Sequence, residues 1–307
     1  MDDAFHFDRA AVRRAFDRAA ASYDAHAVLQ REVGARLLER LDYMRVTPAR
    51  VLDLGCGTGA ALAGLRARYP DAGMVALDLA PAMLARARLT QPRPGLVARA
   101  LAHLAPGRAG VAWVCGDMER LPFARDAFGL VWSNLALQWA DDLAATLRGV
   151  HHVLRPGGLL TFSTFGPDTL RELRAAFAVV DDAPHVSRFT DLHDIGDMLV
   201  AAGFANPVME MEMLTLTYPD LRALMLDLKG LGAHNAAAAR RRGMMGRAQW
   251  ARLVAAYETH RREGRLPASF EVIYGHAWVG DKTRREDGRQ VIELKIASRR
   301  RALGTRA

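Results

Sequence analysis

Two cysteines stand in the 307 residues, Cys56 and Cys115, and they form no C-x-x-C pair. That scarcity argues against a zinc-built fold, and no metal is expected. Lysine is nearly as rare, at positions 229, 282 and 295, so arginine supplies almost all the positive charge behind a net +8. Such a balance fits an acidic partner or nucleic acid. No aromatic-interleaved basic stripe of the sort that single strands need for stacking is present, so nucleic acid is not expected. Long apolar runs are missing too. None approaches the ~20 residues of a membrane span, and Met1-Asp-Asp-Ala shows neither the basic start nor the apolar core of a signal peptide. These absences lead to the expectation of a cytoplasmic monomer without a membrane partner. Half the residues are hydrophobic, enough for a sizeable core.

Glycine, by contrast, is concentrated where it matters. Val-Leu-Asp-Leu-Gly-Cys-Gly-Thr-Gly at 51–59 is an apolar run closing on an acid and three alternating glycines, which predicts a buried strand feeding a tight turn. Gly55, Gly57 and Gly59 lack the Cβ that would hold a ligand away from the backbone, and each can take positive φ. A helix over 60–69 follows, so the turn presents N–H groups at a helix start. Gly55, Gly57 and Ala60 also satisfy the permissive G-x-G-x-x-G/A fingerprint of a nicotinamide dinucleotide site, with an acid about 20 residues on. Three acids favour S-adenosylmethionine (SAM) instead. Asp53, before the glycines, reaches the amino group of a methionine moiety and would repel a pyrophosphate. Asp78 ends a second strand, and its two oxygens match two ribose hydroxyls. In Gly116-Asp117-Met118, Asp117 accepts from an adenine amino group while the Met118 backbone N–H serves a ring nitrogen. Asn134, at a fourth strand's tip, joins this cofactor-binding set. Acids in three places suit a cationic ligand free of phosphate.

Residues 9–22 are alanine-rich and helical by propensity. Tyr23-Asp24 interrupts them, and 28–44 resumes with Val28, Leu29, Val33, Leu37, Leu38 and Leu41 at helical spacing. The stretch 1–46 is therefore expected as a helical lid over the cofactor. From residue 50, strands at 50–54, 73–78, 111–116, 128–134 and 158–165 alternate with helices at 60–69, 81–89 and 141–154, and two more helices follow at 168–180 and 191–202. Such alternation predicts a parallel, doubly wound α/β sheet. With its first strands ordered 3-2-1, Cys56 and Cys115 sit two spacings apart, roughly 9.6 Å, beyond the ~7 Å limit for a disulfide. The stretch 90–110 reads as a surface insertion. Two late β-rich segments, 208–218 and 269–279, look like a closing antiparallel pair. The residues between them, 219–266, are too many for a hairpin loop and are assigned as a helical cap over the substrate mouth, with Gly230-Leu-Gly232 in its middle. The cofactor-binding core then spans 47–218 and 267–296, leaving a basic tail at 297–307.

With these motifs placed, the chain resembles the class I SAM-dependent methyltransferases, and more closely the malonyl-acyl carrier protein O-methyltransferases of biotin synthesis. Beyond the glycine turn, the likeness rests on Ala-Ala-Ser-Tyr-Asp-Ala-His-Ala-Val-Leu-Gln at 20–30, Ser-Asn-Leu-Ala-Leu-Gln-Trp at 133–139, Phe-Gly-Pro-Asp-Thr-Leu at 165–170, His185 with Arg188-Phe189, and Asp-Leu-Lys-Gly-Leu-Gly-Ala-His-Asn at 227–235. The resemblance implies a Rossmann-like sheet, mostly parallel with a late antiparallel strand, SAM as cofactor, and methylation of the free carboxylate of a malonyl thioester carried by acyl carrier protein or coenzyme A. A second likeness, through Pro-His-Val-Ser-Arg-Phe-Thr at 184–190, Asp-Ile-Gly-Asp-Met at 194–198 and Leu-Pro-Ala-Ser-Phe at 266–270, is to the SAM-fold arginine hydroxylase that assists assembly of respiratory complex I. A SAM-binding protein without transfer activity is a third class.

The chemistry implied by the first resemblance asks little of acid–base groups. A carboxylate with a reference pKa near 4 is already ionised at neutral pH, so no general base is needed, and alignment with water exclusion carries the rate. We therefore expect a closed aromatic chamber, with Tyr23 as the wall over the methyl group and Trp139 and Phe165 behind it. Arg188 is the candidate cation for the substrate carboxylate, because a guanidinium offers a bidentate fork. His185 is expected to be structural. The run Arg240-Arg-Arg242 with Arg247 is the candidate contact for an acidic carrier protein.

Overall fold

The computed structural model describes residues 7–91, 110–232 and 245–280. Most of the expected 90–110 insertion, residues 233–244 of the cap with Arg240 to Arg242, and everything after Gly280, including the 297–307 tail, lie outside the described residues.

Among the described residues seven strands make one sheet: β1 Arg50–Leu54, β2 Gly73–Asp78, β3 Val111–Cys115, β4 Phe128–Asn134, β5 Leu154–Phe165, β6 Phe204–Tyr218 and β7 Leu266–Val279. Their order is β3-β2-β1-β4-β5-β7-β6. β3 through β5 run parallel, and β7 enters antiparallel to both β5 and β6. The central strands read as unbroken apolar runs because helices cover both faces, and Val51, Leu52, Leu54, Leu130, Val131 and Trp132 are fully buried. Cys56 and Cys115 are both free, on opposite sides of β2.

Ten helices are described: α1 Arg9–Ala19, α2 Tyr23–His26, α3 Val28–Arg40, α4 Leu62–Arg68, α5 Pro81–Thr90, α6 Leu143–Val153, α7 Arg171–Ala178, α8 Leu192–Ala201, α9 Leu221–Gly230 and α10 Arg247–Glu258. Side chains of Asp8, Asp142, Asp191 and Asp220 accept backbone N–H groups at the starts of α1, α6, α8 and α9, the capping that ends the search for a helix start. α3 lies on the sheet with Leu29, Val33 and Leu37 buried. Its far face explains the acids that alternate along β6, since Arg40 pairs with Glu210 at 2.9 Å and Arg36 with Glu212.

Most helix ends shift by one to three residues, and larger differences from the sequence reading fall at α3, β5, β6 and β7. α3 stops at Arg40 and passes into a 3-10 turn at Leu41–Tyr43, short of residue 44. β5 begins at Leu154 rather than residue 158, carrying Pro156 and Gly157 (φ 70°) through a bulge where the β4 register slips between Phe128 and Leu130; Pro156 lacks the N–H a regular ladder would use. β6 and β7 are longer than expected, pairing from Phe204–Val279 to Tyr218–Leu266.

One glycine decides how tightly β7 joins the parallel sheet. A Cβ on Gly275 would fall 2.4 Å from the Phe162 ring and 2.8 Å from Met209 Sδ. Gly275→Ala should therefore overpack the core and cost about 1–3 kcal/mol, read as a lower urea midpoint with an unchanged m-value.

Candidate active site

The turn after β1 is built from hydrogen bonds to the next strand. Gly55 and Cys56 N–H both donate to Leu77 O, at 2.8 and 3.0 Å, and Gly57 N–H donates to Asp78 Oδ2 at 2.8 Å. Gly55, Gly57 and Gly59 all have positive φ, at 74°, 54° and 80°. A Cβ on Gly55 would lie 2.3 Å from Ala136 Cβ, whereas one on Gly57 would meet nothing within 4 Å and would project into open cleft. Gly55 thus lets the turn close on the loop after β4, and Gly57 leaves room for a ligand against bare backbone.

Two contiguous cavities flank this turn. One, of about 100 Å³, is lined by Asp78, Leu79, Asp117, Met118, Tyr23 and Trp139, among others. The other, of about 310 Å³, is lined by Asp53, Gly57, Thr58, Gly59, Tyr23 and Asn134, among others. The first therefore collects the acids of β2 and the β3 tip, and the second the acid of β1. All eight cofactor residues expected from sequence, Asp53, Gly55, Gly57, Gly59, Asp78, Asp117, Met118 and Asn134, border one or both.

Their electrostatics are unusual for a protein that is otherwise basic. Asp53 is 3% exposed, and among the described residues its Oδ2 has no hydrogen-bond partner. Burial, with the Asp78 charge second, pushes its carboxyl up to about 7. Asp78 is also pushed up by burial, partly offset by the N–H groups of Ala80 and Gly57. A cation placed between the two would relieve both. Asp117 is differently situated: Arg9 ion-pairs with it at 3.3 Å and also with Glu119, and donates Nη1–H to Trp139 O at 2.9 Å. This pairing was not foreseen from sequence, and it hinges the first helix to the β3 tip.

The 23–26 turn lies across the cleft. Thr58 Oγ1 donates to Asp24 Oδ1 at 2.6 Å, tying the turn to the glycine loop. Tyr23 borders both cavities, its hydroxyl pushed up by burial and by the charges of Asp78 and Asp24. Beyond Tyr23 and Trp139 opens a third cavity of about 220 Å³, walled by Leu29, Phe165, Phe177, Phe189, Leu216 and Phe270, among others. Trp139 packs on Phe7 and Phe16, ring centroids 5.5 and 5.2 Å apart. Trp139 and Phe165 thus stand between cleft and chamber.

Arg188 is exposed and lines a neighbouring cleft with Thr164 and Ile195 rather than the chamber. His185 is held by Asp181 at 2.6 Å and stacked on Phe177, 3.9 Å between centroids. The chamber's polar wall comes from residues that spacing could not join. His26 Nδ1 lies 2.8 Å from Asp227 Oδ1, and Tyr218 donates to Asp227 Oδ2 at 2.7 Å. Each lies in or beside a motif quoted above, yet 201 positions separate His26 from Asp227. Among the described residues no group of three or more His, Cys, Asp or Glu side chains is placed to hold a metal ion, and no helix is long and apolar enough to cross a membrane.

A doubly wound sheet of this order, with a glycine turn and acids at the tips of its first three strands, defines a class I SAM-dependent methyltransferase, and SAM is the cofactor. A family model described as a methyltransferase domain matches residues 52–162. The YcgJ protein from Bacillus subtilis shares the fold, with a TM-score of 0.54 and 16% identity over 80% of this chain and 99% of that one. Two much nearer relatives are both named malonyl-[acyl-carrier protein] O-methyltransferase. That of Laribacter hongkongensis is 53% identical over 96% of this chain and 98% of its own. That of Gallionella capsiferriformans is 51% identical over 95% and 98%. The chain belongs to the malonyl-[acyl-carrier protein] O-methyltransferase family.

The Asp53 carboxyl makes a signed prediction. Its folded value of about 7 exceeds its unfolded one, so the ligand-free protein loses this contribution to stability as pH rises from about 4 through that value. A cationic ligand at Oδ2 needs the ionised form. SAM affinity measured by calorimetry should therefore rise with pH up to about 7 and then level off, and Asp53→Asn should flatten the rise. A wild-type affinity independent of pH would refute the assignment.

Proposed function

We propose that this protein transfers the methyl group of SAM to the free carboxylate of a malonyl thioester, giving its methyl ester, as an early cytoplasmic step of biotin synthesis, and that it works as a monomer. The observation that carries the reading is a largely apolar chamber set against the cofactor cleft, the two sharing Gln30, Trp139 and Phe165 in their walls. The family's names for its members point to the same substrate.

When bound, SAM supplies an electrophilic methyl group on a sulfonium. Within the proposal, Asp53 takes its amino group, Asp78 the ribose hydroxyls, and Asp117 with Met118 the adenine edge, with Asn134 and the three glycines completing the cradle. Asp117 does this with Arg9 already on one oxygen, which leaves its other oxygen for the base. Tyr23, Trp139 and Phe165 exclude water where the carboxylate meets the methyl group, and no proton has to move. Residues 1–46 act as the lid, 219–266 as the cap, and 47–218 with 267–296 as the core. The central test is incubation with labelled SAM and malonyl-acyl carrier protein. A base-labile methyl ester supports the reading, and SAM binding without ester formation refutes it.

Two variants probe the parts. Tyr23→Phe should keep most of the transfer rate, whereas Tyr23→Ala should lower kcat by about 100-fold through misalignment and water entry; equal losses would remove the aromatic-wall role. Arg247 is exposed at the start of α10 and Lys229 at the end of α9. With Arg240 to Arg242, outside the described residues, Arg247 is proposed to meet the acidic carrier. Replacing these arginines with glutamate should weaken turnover of the carrier-linked substrate far more than that of the coenzyme A form; parallel losses would exclude a docking role.

A further inference from the structure

Gln30 borders the adenosine-side cavity, the methionine-side cavity and the apolar chamber, all three. The place where it stands is therefore where the cofactor's reactive end and the substrate must meet. Among the described residues, five are shared by the chamber and the adenosine-side cavity: Gln30, Gln138, Trp139, Phe165 and Leu231. None is a cation. Arg9, which also borders the cleft, is committed to Asp117, Glu119 and Trp139 O.

Several polar groups around this junction are already engaged, and Lys229, a cation of the chamber wall, does not border the cofactor cleft. His26 and Asp227 hold each other, and His185 is held by Asp181. Gln138 donates to Leu135 O at 2.7 Å and accepts from Thr164 at 3.3 Å. Among the described residues the Gln30 side-chain oxygen is buried with no partner, an acceptor that costs free energy unless something positively polarised meets it, which a carboxylate cannot do.

Gln30 is also held firmly in place. Its backbone carbonyl accepts from Asn134 Nδ2 at 2.9 Å, and Asn134 Oδ1 in turn accepts from Ser163 Oγ at 2.8 Å. One turn further along α3, a Cβ on Gly34 would lie 3.0 Å from Asn134 Nδ2, so only a residue without a side chain lets the helix come this close to the β4 tip.

We infer that Gln30 holds the malonyl carboxylate at the point of transfer, its NH2 donating to one carboxylate oxygen while its own oxygen lies against the positively polarised methyl group. This rests on the carboxyl-methylation reading above. An amide suits the task better than Arg188 or any cation. A full positive charge here would repel the sulfonium and would draw electron density from the attacking oxygen, whereas a neutral donor orients the carboxylate and leaves it nucleophilic. The free carboxylate oxygen bonds to the methyl carbon as the carbon–sulfur bond breaks, and the bonding pair stays on sulfur. The countercharge of the substrate is then the cofactor itself, and Asn134 is a positioning residue acting through Gln30.

The test measures binding to protein saturated with S-adenosylhomocysteine, using calorimetry with malonyl-CoA and with its methyl ester. Wild type should bind malonyl-CoA. Gln30→Leu should weaken it by about 10- to 100-fold, and Gln30→Glu by more, through like-charge repulsion, while affinity for the methyl ester falls much less. S-adenosylhomocysteine affinity should stay within a few-fold in both variants, which also reports that they are folded. In turnover, Gln30→Leu should raise KM for the malonyl substrate more than KM for SAM. Malonyl-CoA binding unchanged in Gln30→Leu, or equal losses for the acid and its ester in Gln30→Glu, would overturn the inference while leaving carboxyl methylation intact. Loss of S-adenosylhomocysteine binding instead would overturn it by assigning Gln30 to the cofactor. Failure of wild type to bind or methylate any malonyl thioester would sink the underlying reading, and the inference with it.

Discussion

A buried carboxylate, Asp53, and a half-buried one, Asp78, are brought together at the ends of adjacent parallel strands, and the organisation of the molecule follows from that juxtaposition. In register, Asp53 sits opposite Ala76 and Asp78 opposite Cys115, so β1 and β2 end almost level, with the glycine turn folded over the gap. Gly57 N–H satisfies one oxygen of Asp78, yet Asp53 Oδ2 finds no partner among the described residues. Keeping such a group buried costs free energy in the ligand-free state. A positively charged ligand at that position removes the cost, so the strain is convertible into cofactor affinity.

The parts that cover the cleft are joined to one another as well as to it. The short α2 turn carries Tyr23 and Asp24 toward the cofactor side and His26 toward the cap. A Cβ on Gly230 would lie 2.2 Å from the His26 ring, and one on Gly232 (φ 68°) would lie 3.2 Å from Ala15 O. The Gly230-Leu-Gly232 break is therefore a docking surface for the first two helices, with Leu231 buried and bordering both the cleft and the chamber. The His26–Asp227–Tyr218 set pins the same joint, so the element over the cofactor and the element over the chamber are one connected roof. Under the proposed transfer, the task of this roof is water exclusion rather than acid–base chemistry.

How much of this was legible in the chain depended on the range of the interactions. Asp53, Asp78 and Asp117 each end an apolar run, and a strand that closes on an acid can be read within six residues. The alternation of strands and helices likewise follows from local periodicity, which is why β1, β2 and β4 matched residue by residue. Boundaries failed where distant partners decide them: β6 extends back to Phe204 because β7 pairs with it there, and β5 opens at Leu154 because β4 offers it a bulge. Arg188 was favoured for its chemistry alone, but the loop carrying it turns the side chain toward another cleft.

By itself the sequence determined the doubly wound sheet, the glycine turn and the acidic tips of three strands, because each is written in neighbouring residues obeying a short period. Only the tertiary structure decided that Arg9 would pair with Asp117, that His26 would meet Asp227, and that Gln30 would border three cavities. Those relations link residues more than a hundred positions apart or depend on what surrounds a side chain, and no spacing along a chain records which faces of distant elements will be pressed together.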